Sequence, residues 1–181
     1  MHLPDPIAKA CQPLFDYLPL DEAMPTIVGE RPDENAVGLC EQALADPAMA
    51  RPSLVAGLWL YVDRLERSHD VSQGIQNPTG SFWHGIMHRR EGDFSNSHYW
   101  FRRVGTHPVF SRIEVAGGSA GSGTDTAGYD PHAFIDAVDR ANAVDRHDTT
   151  PNLDGERHPE LLATQRREWM ELFMHCAEQR R

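Results

Sequence analysis

Apolar positions along this chain recur with the period of an α-helix, and the elements they predict are almost all helices. One helix is expected over residues 34–45, with Asp33 placed as its N-cap. After Arg51-Pro52-Ser53 the run LVAGLWLYV is apolar throughout and predicts a buried helix ending near Arg64, followed by a second over residues 65–75. Gln76-Asn77-Pro78-Thr79-Gly80 reads as a breaker. Two further helices follow, over 81–91 and 94–104, with Gly92-Asp93 as the turn between them.

Downstream, VFSRIEV at 109–115 predicts a short β segment with no evident partner, and GGSAGSGTDTAG at 117–128 is a flexible loop by composition. Asp130 as N-cap and Pro131 at the first helical position start a helix over 131–144. A loop spans 145–159, and a last helix from Pro159 carries the apolar stripe Leu162, Trp169, Leu172, Phe173 and Cys176. Residues 1–32 are rich in proline and acids, with a short helical stretch after Asp5-Pro6. The expectation is one all-α domain over 1–181, built of helical hairpins as a tetratricopeptide-like array or an irregular bundle. A faint internal repeat supports hairpins: aligning residues 63–72 with 92–101 matches Leu65 to Phe94, Ser68 to Ser97 and His69 to His98.

Chemistry concentrates in SFWHGIMHRREGDFSNSHYWFRR, residues 81–103. At about 100° per residue, Phe82, Trp83, Ile86 and Met87 share an apolar arc, while Ser81, His84, His88 and Glu91 form a narrow stripe facing away from it. His84 and His88 are an i, i+4 pair whose imidazoles reach one point above the helix, and Glu91 follows on the same stripe. Two imidazoles and a carboxylate suit a divalent transition metal. The glutamate that follows the first histidine in HExxH zinc proteases is here Gly85, so this is a different pattern. Without metal, the same three residues make a catalytic or ligand-binding stripe, or an exposed polar face. On the preceding helix Glu66 and His69 form an ExxH pair of the di-iron type, but the two further glutamates such a site needs are not identifiable. His98 falls with Phe94, Phe101 and Val104 and reads as a core histidine.

Arg89, Arg90, Arg102 and Arg103, set against Glu91 and Asp93, make this stretch a positive island. Guanidinium forks hold carboxylates and phosphates in bidentate fashion. Together with Trp83, Asn96, Tyr99 and His69 they suit an anionic small molecule; the alternative is internal pairing with acids. No GxSxG and no P-loop pattern is present.

Composition narrows the setting. The net charge of −10 over 181 residues speaks against nucleic acid and against an anionic membrane surface. No apolar run approaches the roughly 18 residues of a membrane span, and the N-terminus lacks the pattern of a secretory signal. Three cysteines, without a CxxC, read as reduced, buried residues of a cytoplasmic protein.

Residues 83–110, WHGIMHRREGDFSNSHYWFRRVGTHPVF, resemble an uncharacterised family of short bacterial and fungal proteins. Its mark is close to W-H-x-I-x-H-R-R-E-x-D-x-S-N-x-x-Y-W-[FY]-R-R-V-G-x-H-P, with an upstream L-x-x-S-H and an aromatic C-terminal helix. Trp83, His84, His88, Arg89, Arg90, Glu91, Asp93, Asn96, Tyr99, Trp100, Arg102 and Arg103 match that pattern, whereas His98 stands where lysine is common. The resemblance implies a functional site in this stretch and supplies no reaction. Three functions remain open: a helical domain with a His/Glu/Arg-lined pocket for an anionic small molecule, a metal-dependent enzyme using His84, His88 and Glu91, or a non-catalytic adaptor for a protein partner.

Overall fold

The computed structural model describes residues 1–115, 128–147 and 157–179. Among these the chain forms eight α-helices and no strand: α1 (Asp5–Tyr17), α2 (Glu34–Leu44), α3 (Pro52–Tyr61), α4 (Leu65–Ser72), α5 (Pro78–Glu91), α6 (Phe94–Val104), α7 (Pro131–His147) and α8 (Pro159–Glu178). The fold is all-α. The segment expected as a short strand at 109–115 instead makes a 3-10 turn at Phe110–Arg112. With no second strand beside it, an extended segment would leave its backbone polar groups unpaired. Most of the glycine-rich stretch 117–128 lies outside the described residues.

Helix boundaries follow local chemistry. Asp33 caps α2 as expected, its carboxylate accepting from Asn35 N at 2.8 Å and Ala36 N at 3.0 Å. The supposed breaker at 76–80 turns out to be a start signal. Asn77 is the N-cap of α5, accepting from Gly80 N at 2.9 Å, and Pro78 sits in the first turn, where its missing N–H costs nothing. Gly80 is required there, because a Cβ would stand 2.2 Å from Ile75 O. At the N-terminus the expected short helix is a full 13 residues.

Two antiparallel hairpins, α3–α4 and α5–α6, form the centre, and α4 packs on α5. They share a local device at the same 29-residue offset as the sequence match. Ser68 Oγ donates to Ala56 O at 2.9 Å, and Ser97 Oγ donates to Gly85 O at 2.7 Å. Their turns each hold a residue at positive φ, Asp63 at +55° and Gly92 at +83°. Gly85 lets α6 come close: a Cβ there would meet the Phe101 ring at 2.8 Å.

α8 lies against α3. Its stripe of Leu162, Trp169, Leu172, Phe173 and Cys176 is buried as expected, and Trp169 Nε1 donates to Gly57 O at 2.7 Å. Arg51 closes the far end, its guanidinium donating to the carbonyls of Cys176, Ala177 and Gln179. The three cysteines are free and buried. Burial pushes the Cys11 and Cys40 thiols up to about 12. Among the described residues no helix is long and apolar enough to cross a membrane.

The central element is α5. Every residue from Thr79 to Arg90 is buried, so Ser81, His84 and His88 of the expected polar stripe are enclosed and Glu91 alone is exposed. Of the six polar or charged side chains in that span, the two histidines and the two arginines are accommodated in two different ways.

Candidate metal centre

The first way brings histidines together. His69 comes from α4, and His84 and His88 from successive turns of α5. One ring nitrogen of each lies within 4.8 Å of the others. His84 is 3% exposed and His88 7%, while His69 is half-buried at the rim. Ring centroids are 4.7 Å apart for His69–His84, 5.5 Å for His69–His88 and 4.8 Å for His84–His88. From α6 the Trp100 indole stacks on His84 at 4.0 Å and 21°, fixing that ring.

Protonation decides what such a cluster can do. Burial, then the neighbouring His88 and His69, bring His84 down to about 3, so its imidazole is neutral at physiological pH. Burial lowers His88 as well, against the opposing pull of Glu91. Glu91 Oε2 lies 3.2 Å from His88 Nδ1. A carboxylate accepts there, so the proton sits on Nδ1 and the Nε2 lone pair is left for something else. His84 Nδ1 is enclosed and has no hydrogen-bond partner. Three imidazoles with one nitrogen each so close together are a donor set that suits zinc or a neighbouring transition metal. Tetrahedral coordination at about 2.0–2.1 Å places nitrogens roughly 3.4 Å apart, so the rings would have to close by up to about 1.4 Å. Among the described residues the mutually close donors are imidazoles alone. Glu66 is exposed on α4, and the di-iron arrangement is not assembled.

The second way pairs guanidinium with carboxylate. Arg89 is fully buried and forks onto Glu168 of α8, with Nη1 3.2 Å from Oε1 and Nη2 2.5 Å from Oε2. The Tyr129 hydroxyl donates to the same carboxylate, and the Phe134 ring lies 4.4 Å from the guanidinium carbon. Burial works to lower Arg89, but Glu168 and Tyr129 together more than offset it and the net direction is upward. Arg90, equally buried, donates to Asp63 Oδ1 at 2.7 Å and Gly29 O at 3.0 Å. Asp63 Oδ2 in turn accepts from Arg31 N at 3.1 Å, so this pair ties the 26–31 loop to the α3–α4 turn.

The stretch expected to form one pocket is thereby divided. His84 and His88 converge with His69, and Glu91 stands behind His88. Arg89 and Arg90, expected to line a pocket, are internal ties, and Trp83 is core, wholly enclosed and packed over Gly57. Asp93 is the N-cap of α6, accepting from Asn96 N at 3.1 Å, with Ser95 Oγ and Asn96 Nδ2 also donating to it. Tyr99, Arg102 and Arg103 remain on the surface; Arg103 lies over Trp100 at 5.2 Å. His98 is half-buried between α6 and α7, facing His132 Nδ1 at 2.7 Å and Asp136 Oδ1 at 3.1 Å, and is not a core residue. The sequence reading missed Asp63, Glu168 and Tyr129 as arginine partners. Glu168 carried one signal, an acid adjoining the buried stripe of α8. Trp100 of α6 forms a wall of the histidine cluster.

Comparison with known protein families, with curated proteins and with solved structures finds no match.

Proposed function

We propose that this protein is a metal-dependent enzyme in which His69, His84 and His88 hold one divalent transition-metal ion. The observation that carries the reading is the convergence of three imidazole nitrogens within 4.8 Å, on a buried face with no hydrogen-bonding alternative for His84 Nδ1. Three protein nitrogens leave one coordination position for water or substrate, the arrangement of catalytic rather than structural zinc. An ion so held supplies Lewis-acid chemistry or a water acidified to about neutral pH. Glu91 is a positioning residue: it orients His88 and fixes its tautomer.

The test is metal content of untagged protein after chelator treatment and reloading with zinc or cobalt(II). One equivalent of ion is expected, with the intense visible absorption of tetrahedral cobalt. Each of His69→Ala, His84→Ala and His88→Ala abolishes that band, and Glu91→Gln weakens affinity by about 10- to 100-fold. Folded protein that takes up no ion after reloading overturns the reading.

A further inference from the structure

Beside the histidine cluster lies a cleft of about 630 Å³, within the range of small-molecule sites. Trp100 belongs to both: it stacks on His84 and also lines the cleft. It is lined by Asn77 and Ser81 at the start of α5, by Gln73 and Gln76 of the α4–α5 connection, and by Arg103 of α6.

Four observations about this wall point to one ligand chemistry. Arg103 is its single charged residue, and no carboxylate of the described residues lines it. The Arg103 guanidinium is spread over Trp100 at 5.2 Å and Tyr99 at 5.9 Å, with the Tyr99 hydroxyl accepting at 3.4 Å, which holds the fork at the cleft edge. Ser81 is 6% exposed yet faces the cleft, and its hydroxyl has no hydrogen-bond partner among the described residues. The remaining polar groups are carboxamides, which both donate and accept. Asn77 Oδ1 is committed to Gly80 N, so its NH2 is the part that is free to donate.

We propose that this cleft is the substrate subsite of the metal centre and takes a small monocarboxylate with an uncharged hydrogen-bonding body. Arg103 receives the carboxylate; Gln73, Gln76, Asn77 and Ser81 receive the body. One cation matches one negative charge, whereas a phosphate dianion calls for a second cation. With no acid in the wall, a ligand ammonium would go unpaired. As a substrate subsite the cleft rests on the metal reading; as a carboxylate site it is measured without the metal.

The probes are N-acetylglycine and gluconate, their neutral counterparts N-acetylglycinamide and glucitol, and inorganic phosphate. Binding to the untagged protein is read by saturation-transfer NMR and calorimetry, first metal-free and then zinc-loaded. At least one carboxylate is expected to bind the metal-free protein while its neutral counterpart does not. Arg103→Gln weakens it about tenfold or more, as loss of a charge-assisted bond requires. Ser81→Ala weakens it a few-fold, and Arg102→Gln, one residue away on the exposed face, leaves it unchanged. Arg103 is exposed, so its replacement does not threaten the fold. Failure of both carboxylates, equal binding of the neutral compounds, tighter binding of phosphate, or indifference to Arg103→Gln each overturns the proposal. Carboxylate binding by a protein that takes up no zinc removes the metal reading and leaves the carboxylate site standing.

Discussion

Helix α5 buries two sets of basic side chains, His84 with His88 and the adjoining Arg89 with Arg90, and their surroundings are opposite. Arg89 and Arg90 each face a carboxylate that is itself buried, Glu168 and Asp63. His84 and His88 face each other, His69 and an indole. Charge explains the difference. A guanidinium cannot shed its proton, so enclosing it demands an acid. An imidazole can become neutral, so it can be enclosed without one, and it then presents lone pairs. On the arginine side each guanidinium has its own buried acid, although Arg89 Nε and Arg90 Nε and Nη1 find no hydrogen-bond partner among the described residues. The histidine side holds no buried acid, and on the proposed reading a cation takes that place.

The sharpest way to break this contrast is Glu168→Ala, which leaves Arg89 charged and unpaired. Destabilisation of about 3–5 kcal/mol in urea unfolding is expected, with zinc uptake retained if the protein folds. A smaller cost would mean that Arg89 finds water or another acid.

His107 tests an intermediate case, a buried imidazole with neutral partners: Thr79 Oγ1 at 3.3 Å and the donating Val109 N at 3.3 Å. Burial, then His175 and Arg112, hold it at about 4. Its unfolded value is near 6.5, so below that pH the unfolded chain binds the proton first. Stability attributable to His107 is therefore present above about 6.5 and is lost as pH falls toward 4, on the order of a few kcal/mol in all. His107→Phe forfeits two hydrogen bonds at every pH but removes this slope, which denaturation at a series of pH values would reveal.

His84→Phe goes the other way from Glu168→Ala. The phenyl ring keeps the stack on Trp100 and removes an enclosed nitrogen without a partner, so the metal-free protein should unfold at an equal or higher urea concentration, by about 1 kcal/mol. The same variant loses the metal. Destabilisation of the metal-free form by several kcal/mol would show that the imidazole is structural. The smallest effect is expected from Ser97→Ala, about 1 kcal/mol, with Ser68→Ala matching it if the two hairpins use that bond alike.

Helix identity was legible in the sequence because it depends on short-range pattern: the Asp33 cap, the α8 stripe and the Gly92 turn are all local. The start of α5 was misread for a local reason too, since Asn-Pro before a helix and Asn-Pro after one look the same until the following turn is known. The i, i+4 relation of His84 and His88 was visible, but its enclosure was not. Nothing within residues 81–91 says that α3, α4, α6 and α8 all converge on that helix. For the same reason Arg89 and Arg90 read as pocket residues: their acids lie 79 and 27 positions away.

That spacing also orders the folding reaction. The serine bonds that lock each hairpin span 12 residues, whereas Arg89 to Glu168 spans 79 and Arg51 to Cys176 spans 125. Short loops close at lower entropic cost, so the hairpins assemble early and α8 docks late. Until it docks, Arg89 stays hydrated. On that order Glu168→Ala is expected to speed unfolding while leaving refolding nearly untouched, which stopped-flow kinetics in urea would read.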